Sequence, residues 1–206
     1  LIVEAPYFGT LPFDPVRYVT YTLAYWTLLS GPIQRYEGFT EGMKTVSQPS
    51  SDEVLAATHR ATNGLLKAFA IAPIFLQSAD LAGLQAKDVS WIDFAIVFYS
   101  YPIYLYLNFS GYTDLVIAVA NLCGVKTLPE NFNRPYLARN ILDFWARWHI
   151  SFGTWIRHYI FTPLSKKLVS ATAPSLHSVM LSISIIVTFV VVGVWHGTTL
   201  NFVIFG

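Results

Sequence analysis

The stretch LVSATAPSLHSVMLSISIIVTFVVVGVWHGTTLNFVIFG, residues 168–206, contains no Asp, Glu, Lys or Arg. A helix that crosses a bilayer needs about 20 mostly apolar residues. The stretch is therefore long enough for one crossing, predicted over residues 176–194, and for the start of another. Core strands are much shorter, and no alternation with a period of two dominates the pattern. It predicts an all-α, polytopic transmembrane helical bundle.

The composition of the whole chain is also that of a membrane protein. Of its 206 residues, 54% are hydrophobic and 12% are charged, whereas soluble domains carry about 25% charged residues. Aromatic residues, which favour the membrane–water interface, make up 16%. The net charge of +1 gives no reason to expect a nucleic-acid partner. The single cysteine, Cys123, excludes an internal disulfide.

Three other stretches are candidates for membrane crossings. Residues 18–34 are uncharged. Residues 61–83 are apolar but are interrupted by Lys67 and Asp80. Residues 94–113 are uncharged as well, and the apolar pattern continues beyond them. Two interpretations of this last stretch are open: a single crossing, or two crossings separated by a turn near residues 108–111.

Polar segments connect the candidate crossings. Within residues 37–60, Ser51 fits a helix N-cap, because Asp52 and Glu53 then lie in the first turn. Prolines at 129 and 135 predict a non-helical loop over residues 126–139. The chain begins at Leu1 and stops inside an apolar run, so we expect residues 1–206 to be one partial membrane-embedded domain with both ends truncated.

The segment over residues 141–164 differs from its apolar surroundings because it mixes three tryptophans with charged residues and histidines. On a helix, Trp145, Trp148 and His149 share one broad face, and Asp143 can pair with Arg147 four residues later. One interpretation is an amphipathic helix at the membrane interface. The other is a re-entrant helix that presents His149 to a buried site.

A second histidine, His196, follows a wholly apolar run. Ionisable residues inside membrane segments are costly and mark functional sites by default. Imidazole is also the side chain best suited to proton transfer near neutral pH. The alternative is a histidine at the end of a helix, in the interface, hydrogen-bonded to a carbonyl group.

Four ordered blocks of sequence resemble the membrane-bound O-acyltransferase family, and within it the bacterial branch that acts in alginate O-acetylation and D-alanyl transfer. The blocks are LSGPIQRY at 29–36, NFSGYTD at 108–114, ENFNRPY at 130–136 followed by FWARWHIS at 144–151, and WHG at 195–197. Bacterial members usually have Arg-Asp-Tyr where this chain has Arg-His-Tyr at 157–159, often followed by a glycine-rich stretch that is missing here.

The resemblance implies acyl transfer from a thioester to a hydroxyl group inside a helical bundle. His196 corresponds to the general base, and His149 to a residue that lines the reaction chamber. The substrate-binding residues that it implies are Asn108, Ser110, Tyr112 and Asp114 in the chamber wall, Asn131, Asn133 and Arg134 at the mouth facing the donor, and Trp145, Trp148 and Trp195. For the secondary polar residues the alternative is a structural role between helices.

The resemblance also implies the partners of the site. The expected donor is acetyl-CoA or an acyl-carrier thioester, and the expected acceptor is a cell-envelope or exported polysaccharide, with no bound cofactor or metal. The expected location is the bacterial inner membrane, as a multi-pass protein working with membrane lipid and other envelope-modification proteins. Two other classes stay open: an inactive scaffold with the same fold, and a polytopic transporter.

Overall fold

A computed structural model of the chain describes residues 14–28, 31–79 and 89–205. All regular elements in these ranges are helical, which confirms the predicted all-α class. The chain divides into two compact units, residues 1–133 and residues 134–206. Two positions of the family-like block at 29–36, Leu29 and Ser30, lie outside the described residues, as do Asp80 and the end of the candidate crossing 61–83.

Within its described residues, the first unit contains six α-helices and a π-helical segment. They are α1 (Pro15–Thr22), α2 (Tyr25–Leu28), α3 (Tyr36–Lys44), α4 (Ser51–Leu65), the π segment (Leu66–Ile71), α5 (Ala72–Ser78) and α6 (Trp91–Leu122). The N-cap of α4 is Ser50, one residue before the predicted Ser51. Glu53 explains the shift, because its amide donates to the Ser50 hydroxyl (3.3 Å) while its carboxylate accepts from the Ser50 amide (2.8 Å).

Helix α6 runs without interruption over 32 residues. It begins with a capping box between Ser90 and Asp93 and continues through Pro102. The alternative of a turn near residues 108–111 is therefore wrong. Gly111 does not reverse the chain; it allows a close contact with a neighbouring helix.

That neighbouring helix is α4, which packs along α6 together with α5 and the π segment. A Cβ atom on Gly64 of α4 would lie 2.7 Å from the carbonyl oxygen of Gly111, and one on Gly111 would lie 2.7 Å from the carbonyl oxygen of Gly64. Neither position has room for a larger residue. The two glycines thus fix how closely α4 approaches α6.

The predicted crossing over residues 18–34 is not one helix. Helix α1 ends at Thr22, and the chain folds back on itself, so that the Tyr21 hydroxyl donates to the Gln34 carbonyl (2.7 Å) and the Trp26 indole donates to the Gln34 side chain (3.1 Å). These rings pack with Phe39 and residues of α6 in the hydrophobic core of the unit. Hydrogen bonds between distant residues here override the apolar pattern.

The second unit contains five α-helices and shorter helical turns. They are a 3-10 turn (Pro135–Leu137), α7 (Ile141–Arg147), α8 (Ile150–Ile156), a π segment (Arg157–Phe161), α9 (Thr162–Ser170), a 3-10 turn (Pro174–Leu176), α10 (His177–His196) and α11 (Leu200–Phe205). Helix α10 packs against α9 and α11.

Two of the described helices are long and apolar enough to cross a membrane. They are Trp91–Leu122 and Pro174–His196. The second contains the crossing predicted over residues 176–194, and α11 corresponds to the predicted start of another apolar segment. Large apolar side chains such as Ile186 and Val194 are exposed along α10, as a surface that faces lipid requires.

Candidate active site

His149 lies at a break in the chain rather than within a helix. Helix α7 ends at Arg147, Trp148 is extended, and α8 begins at Ile150. The single helical face predicted for Trp145, Trp148 and His149 is therefore wrong. The backbone of His149 is left-handed (φ 45°, ψ 53°), a conformation that is uncommon for residues other than glycine and that concentrates at functional sites.

His196 is the last residue of α10, immediately before Gly197. Its side chain is exposed in this chain, as is that of the preceding Trp195, which has 65% of its surface accessible. The end of α10 is closely packed on the other side, because a Cβ atom on Gly197 would lie 2.3 Å from the Phe202 ring. The apolar helix thus ends in an imidazole with one accessible side.

A continuous row of rings connects the two histidines. The imidazole of His149 stacks on Phe152 (centroids 4.9 Å apart), and Phe152 packs against Trp195 (5.0 Å). Trp195 in turn meets the His196 ring edge-on at 4.9 Å. His149 and His196, which are 47 positions apart in sequence, thereby belong to one cluster of rings.

The environment of His149 favours the neutral imidazole. Burial, and to a lesser extent the electrostatic influence of His196, together lower the pKa of His149 from the usual 6.5 to about 4. A neutral ring offers one N–H donor and one nitrogen acceptor. His149 can therefore exchange hydrogen bonds with a substrate as an uncharged group.

The two predicted tryptophans of this segment both contact Phe144. Trp148 stacks on Phe144 (5.6 Å, 18° between planes), and Trp145 meets both Phe144 (5.4 Å) and Phe189 of α10 (6.4 Å). The predicted ion pair between Asp143 and Arg147 is present, at 2.7 Å. The aromatic residues thus attach α7 to α10.

The predicted polar residues of α6 lie in the first unit. The Asn108 amide donates to the Tyr104 hydroxyl (3.0 Å), and Tyr112 packs against the hydrophobic core. Ser110 is buried and accepts from the Lys67 ammonium (3.3 Å). These contacts join residues within and between helices, and substrate binding by this set stays a prediction.

Asp114 accepts hydrogen bonds from two cations of α4 and the segment that follows it. One carboxylate oxygen is 2.9 Å from Arg60 Nε, and the other accepts from Lys67 Nζ. Arg60 also donates to Glu130 through both terminal nitrogens (2.6 and 2.5 Å). Sequence reasoning did not select Arg60 or Lys67. The available signal was a lysine within an apolar stretch, which requires a buried partner.

The residues predicted to face the donor lie where the sequence passes from the first unit to the second. Asn131 is completely buried, whereas Asn133 and Arg134 are exposed. Arg134 has the other left-handed backbone among the non-glycine residues that the structure describes (φ 46°, ψ 58°). The role of these three residues at the mouth facing the donor stays a prediction, because Asn131 and Asn133 belong to the first unit whereas Arg134 belongs to the second.

Comparison of the sequence with known proteins shows its family. The model of the membrane-bound O-acyltransferase family matches residues 12–206. The chain is 31% identical to a teichoic acid D-alanyltransferase of Bacillus subtilis, over 92% of this chain and 48% of that protein. It is 36% identical to a peptidoglycan O-acetyltransferase of Helicobacter pylori, over 69% of this chain and 26% of that protein.

A third relative is similar over almost the whole chain. It is named "Probable alginate O-acetylase AlgI", from Azotobacter vinelandii, and is 28% identical over 93% of this chain and 36% of its own length. The chain thus spans about half, or less, of the length of each of these relatives. The family match, by contrast, covers almost every residue, and on that ground the chain belongs to the membrane-bound O-acyltransferase family.

Proposed function

We propose that the full-length protein transfers an acetyl group from a thioester donor to a hydroxyl group of a cell-envelope or exported polysaccharide. The observation that carries the proposal is the row of rings from His149 to His196, which places two imidazoles at the end of an apolar helix. Relatives named peptidoglycan O-acetyltransferase and alginate O-acetylase support acetyl transfer to a polysaccharide. The location is the bacterial inner membrane, with several crossings.

In the proposed reaction His196 is the general base. Its neutral imidazole accepts the proton of the acceptor hydroxyl while that oxygen attacks the thioester carbonyl carbon. The tetrahedral intermediate then collapses, the carbon–sulfur bond breaks, and the thiolate takes the proton from the imidazolium. An ester and a free thiol result, and His196 is again neutral. General-base catalysis of this kind contributes about 100- to 10,000-fold to the rate.

His149 acts beside this base as a neutral hydrogen-bonding group. Because burial keeps its imidazole uncharged, it does not compete with His196 for the acceptor proton at neutral pH. Its N–H group can orient the acceptor or the thioester carbonyl. Trp145, Trp148 and Trp195 supply apolar surface that shields the thioester from water.

The donor in this proposal is acetyl-CoA or an acyl group on a carrier protein. Both carry phosphate groups, and the planar guanidinium of Arg134 suits phosphate. Asn131 and Asn133 lie in the same segment and supply amide hydrogen bonds. Asn108, Ser110, Tyr112 and Asp114 belong to the chamber wall in the proposal, and membrane lipid and other envelope-modification proteins are the further partners.

A second candidate differs in the acyl group. The teichoic acid D-alanyltransferases of Bacillus subtilis and Streptococcus thermophilus match 92% and 87% of this chain. Both are more than 30% identical to the chain, at 31% and 32%, and they support D-alanyl transfer as the alternative. Both candidates use the same attack on a thioester, so the histidine roles are common to them and the donor distinguishes them.

The test uses membranes from cells that carry the full-length protein. Labelled acetyl-CoA is added, and ester-linked label on envelope polysaccharide is measured for the wild type, for His196→Ala and for His59→Ala. His59 is an exposed histidine of α4 and serves as the control. We expect His196→Ala to reduce the label at least about 100-fold at matched protein levels, and His59→Ala to leave it unchanged.

Each other outcome has a definite meaning. Label that persists in His196→Ala makes His196 structural, and His149→Ala becomes the next variant. If the wild type transfers nothing from acetyl-CoA, the assay is repeated with an acetyl- or D-alanyl-charged carrier protein. Transfer from the D-alanyl carrier alone supports the second candidate. No transfer from any donor supports an inactive relative.

A further inference from the structure

Arg60 connects two parts of the first unit that are far apart in sequence. Its Nε atom donates to Asp114 on α6 (2.9 Å), and its two terminal nitrogens donate to Glu130 in the loop after α6 (2.6 and 2.5 Å). All three bonds come from one planar group. A guanidinium that donates to two carboxylates in this way fixes their positions relative to each other.

The α6 end of this bridge is rigid. Asp114 is only 19% exposed and is held by Lys67 as well as by Arg60. The contact lies within a turn or two of the Gly64–Gly111 contact, where α4 and α6 approach so closely that a Cβ atom on either glycine would clash with the other helix. Arg60 is therefore anchored to a fixed point on the helix pair.

The loop end of the bridge is the more exposed one. Glu130 has a side chain that is 58% exposed, on a segment with no helix between the end of α6 and the 3-10 turn at Pro135–Leu137. Its neighbour Asn131 is completely buried. The forked contact at Glu130 thus lies immediately before the point where the chain enters the protein interior at Asn131.

We propose that Arg60 is a positioning residue that holds residues 130–133 in the conformation needed to bind the acyl donor. The inference rests on the proposed function, which assigns Asn131 and Asn133 to the donor side. Arg60 acts through the loop and does not touch the substrate. Its loss therefore weakens donor binding more than it slows the chemical step.

A substitution by lysine tests the bridge because an ammonium cannot reproduce the fork. Arg60→Lys keeps the charge but can satisfy only one of the two carboxylates well. Glu130→Gln removes the charge at the exposed end and leaves the contact between Arg60 and Asp114 intact, so it tests the same bridge even if Arg60→Lys fails to fold.

The structure provides a matched control at the other end of the same loop. Lys126 pairs with Glu53 of α4 at 2.5 Å, with side chains 40% and 42% exposed. Glu53→Gln thus removes an ion pair between α4 and the loop that resembles the one between Arg60 and Glu130. Unlike the pair between Arg60 and Glu130, the pair between Lys126 and Glu53 does not involve residues 130–133.

The experiment measures two quantities on the purified full-length protein. The first is hydrogen–deuterium exchange of residues 126–133 without substrate. The second is kcat and KM for the acyl donor. In Arg60→Lys and Glu130→Gln we expect faster exchange at 130–133 and a KM raised about 3- to 10-fold with kcat within about twofold. Glu53→Gln leaves KM and exchange at 130–133 unchanged.

Several results would overturn the inference. Unchanged exchange at 130–133 in both bridge variants shows that Arg60 does not hold the loop. An equal rise of KM in Glu53→Gln shows that losing any ion pair between α4 and the loop has the same effect, so Arg60 has no special role. If the wild type transfers no acyl group, the proposed function fails, and the exchange measurement alone still decides whether Arg60 fixes the loop.

Discussion

The ring of Phe152 stacks on the imidazole of His149, with centroids 4.9 Å apart and 27° between the planes. The opposite contact of Phe152 is with Trp195, the neighbour of His196. One phenylalanine thus sets the spacing between the two candidate catalytic residues, although it carries no reactive group. Its role would be to keep both imidazoles oriented.

Replacing Phe152 by leucine should reduce kcat about tenfold while KM changes little. The substitution removes two aromatic contacts, each worth about 0.5–1.5 kcal/mol, and lets His149 rotate. The measurement is acyl transfer by the full-length protein. Phe94→Leu is the control, because Phe94 also stacks on a ring, that of Phe98 (6.0 Å), but lies outside the site. Equal losses in both variants would indicate a general folding defect.

The pH dependence of stability should depend on His149. Its pKa is about 4 in the folded protein, against about 6.5 when unfolded. As pH falls from about 6.5 to about 4, the unfolded state takes up a proton that the folded state does not, so stability decreases across this window and is fully retained above it. Below about 4 this contribution is constant.

Thermal unfolding in detergent between pH 4 and pH 8 measures this effect. We expect His149→Gln to show a smaller drop in Tm across the window than the wild type. His59→Gln, at an exposed site on α4, should follow the wild-type curve. An unchanged pH dependence in His149→Gln would contradict the lowered pKa.

Asp114→Asn should destabilise the first unit by about 1–3 kcal/mol, because it leaves Arg60 and Lys67 partly buried with one carboxylate fewer. Denaturant unfolding in detergent gives the free energy of unfolding. The double variant Lys67→Met with Asp114→Leu removes one positive and one negative charge together, and it should be more stable than Asp114→Asn. If it is not, the ion pair does not carry the effect.

Gly111→Ala should destabilise the protein by about 1–3 kcal/mol through overpacking, since a Cβ atom there would lie 2.7 Å from the Gly64 carbonyl oxygen. Gly38→Ala provides the comparison, because nothing lies within 4 Å of a Cβ atom at this position of α3. In that helix alanine should instead stabilise by up to about 1 kcal/mol. The two Tm values should move in opposite directions.

The long helices were predictable where composition decides them. Helix α10 follows from the absence of charge over residues 168–206, since an apolar run of that length has few other stable forms. The crossing over residues 18–34 could not be rejected from the pattern, because the chain reversal there depends on hydrogen bonds from Tyr21 and Trp26 to Gln34. Gly111 was open to two interpretations because both a turn and a close helix contact select glycine.

The site was predictable in its residue types rather than in its local geometry. His196 was selected because ionisable residues in apolar surroundings are rare, and His149 because its segment mixes tryptophans with charged residues; their catalytic roles stay predictions. The left-handed backbone of His149 was not predicted, because that strain is imposed by the packing of α7 and α8 around it. Arg60 was missed because its partners lie about 54 and 70 positions away, beyond the reach of helical periodicity.

The length of α6 has a consequence for where its charges lie in a bilayer. Asp93 and Asp114 are about 21 residues apart, which is about 32 Å at a rise of about 1.5 Å per residue. The hydrocarbon layer is about 30 Å thick. When α6 crosses it, both carboxylates can reach the headgroup regions of opposite leaflets at once. In such a crossing the two carboxylates lie at the two edges of the hydrocarbon layer. The ion pairs of Asp114 with Arg60 and Lys67 then lie at one edge of that layer and not in its centre.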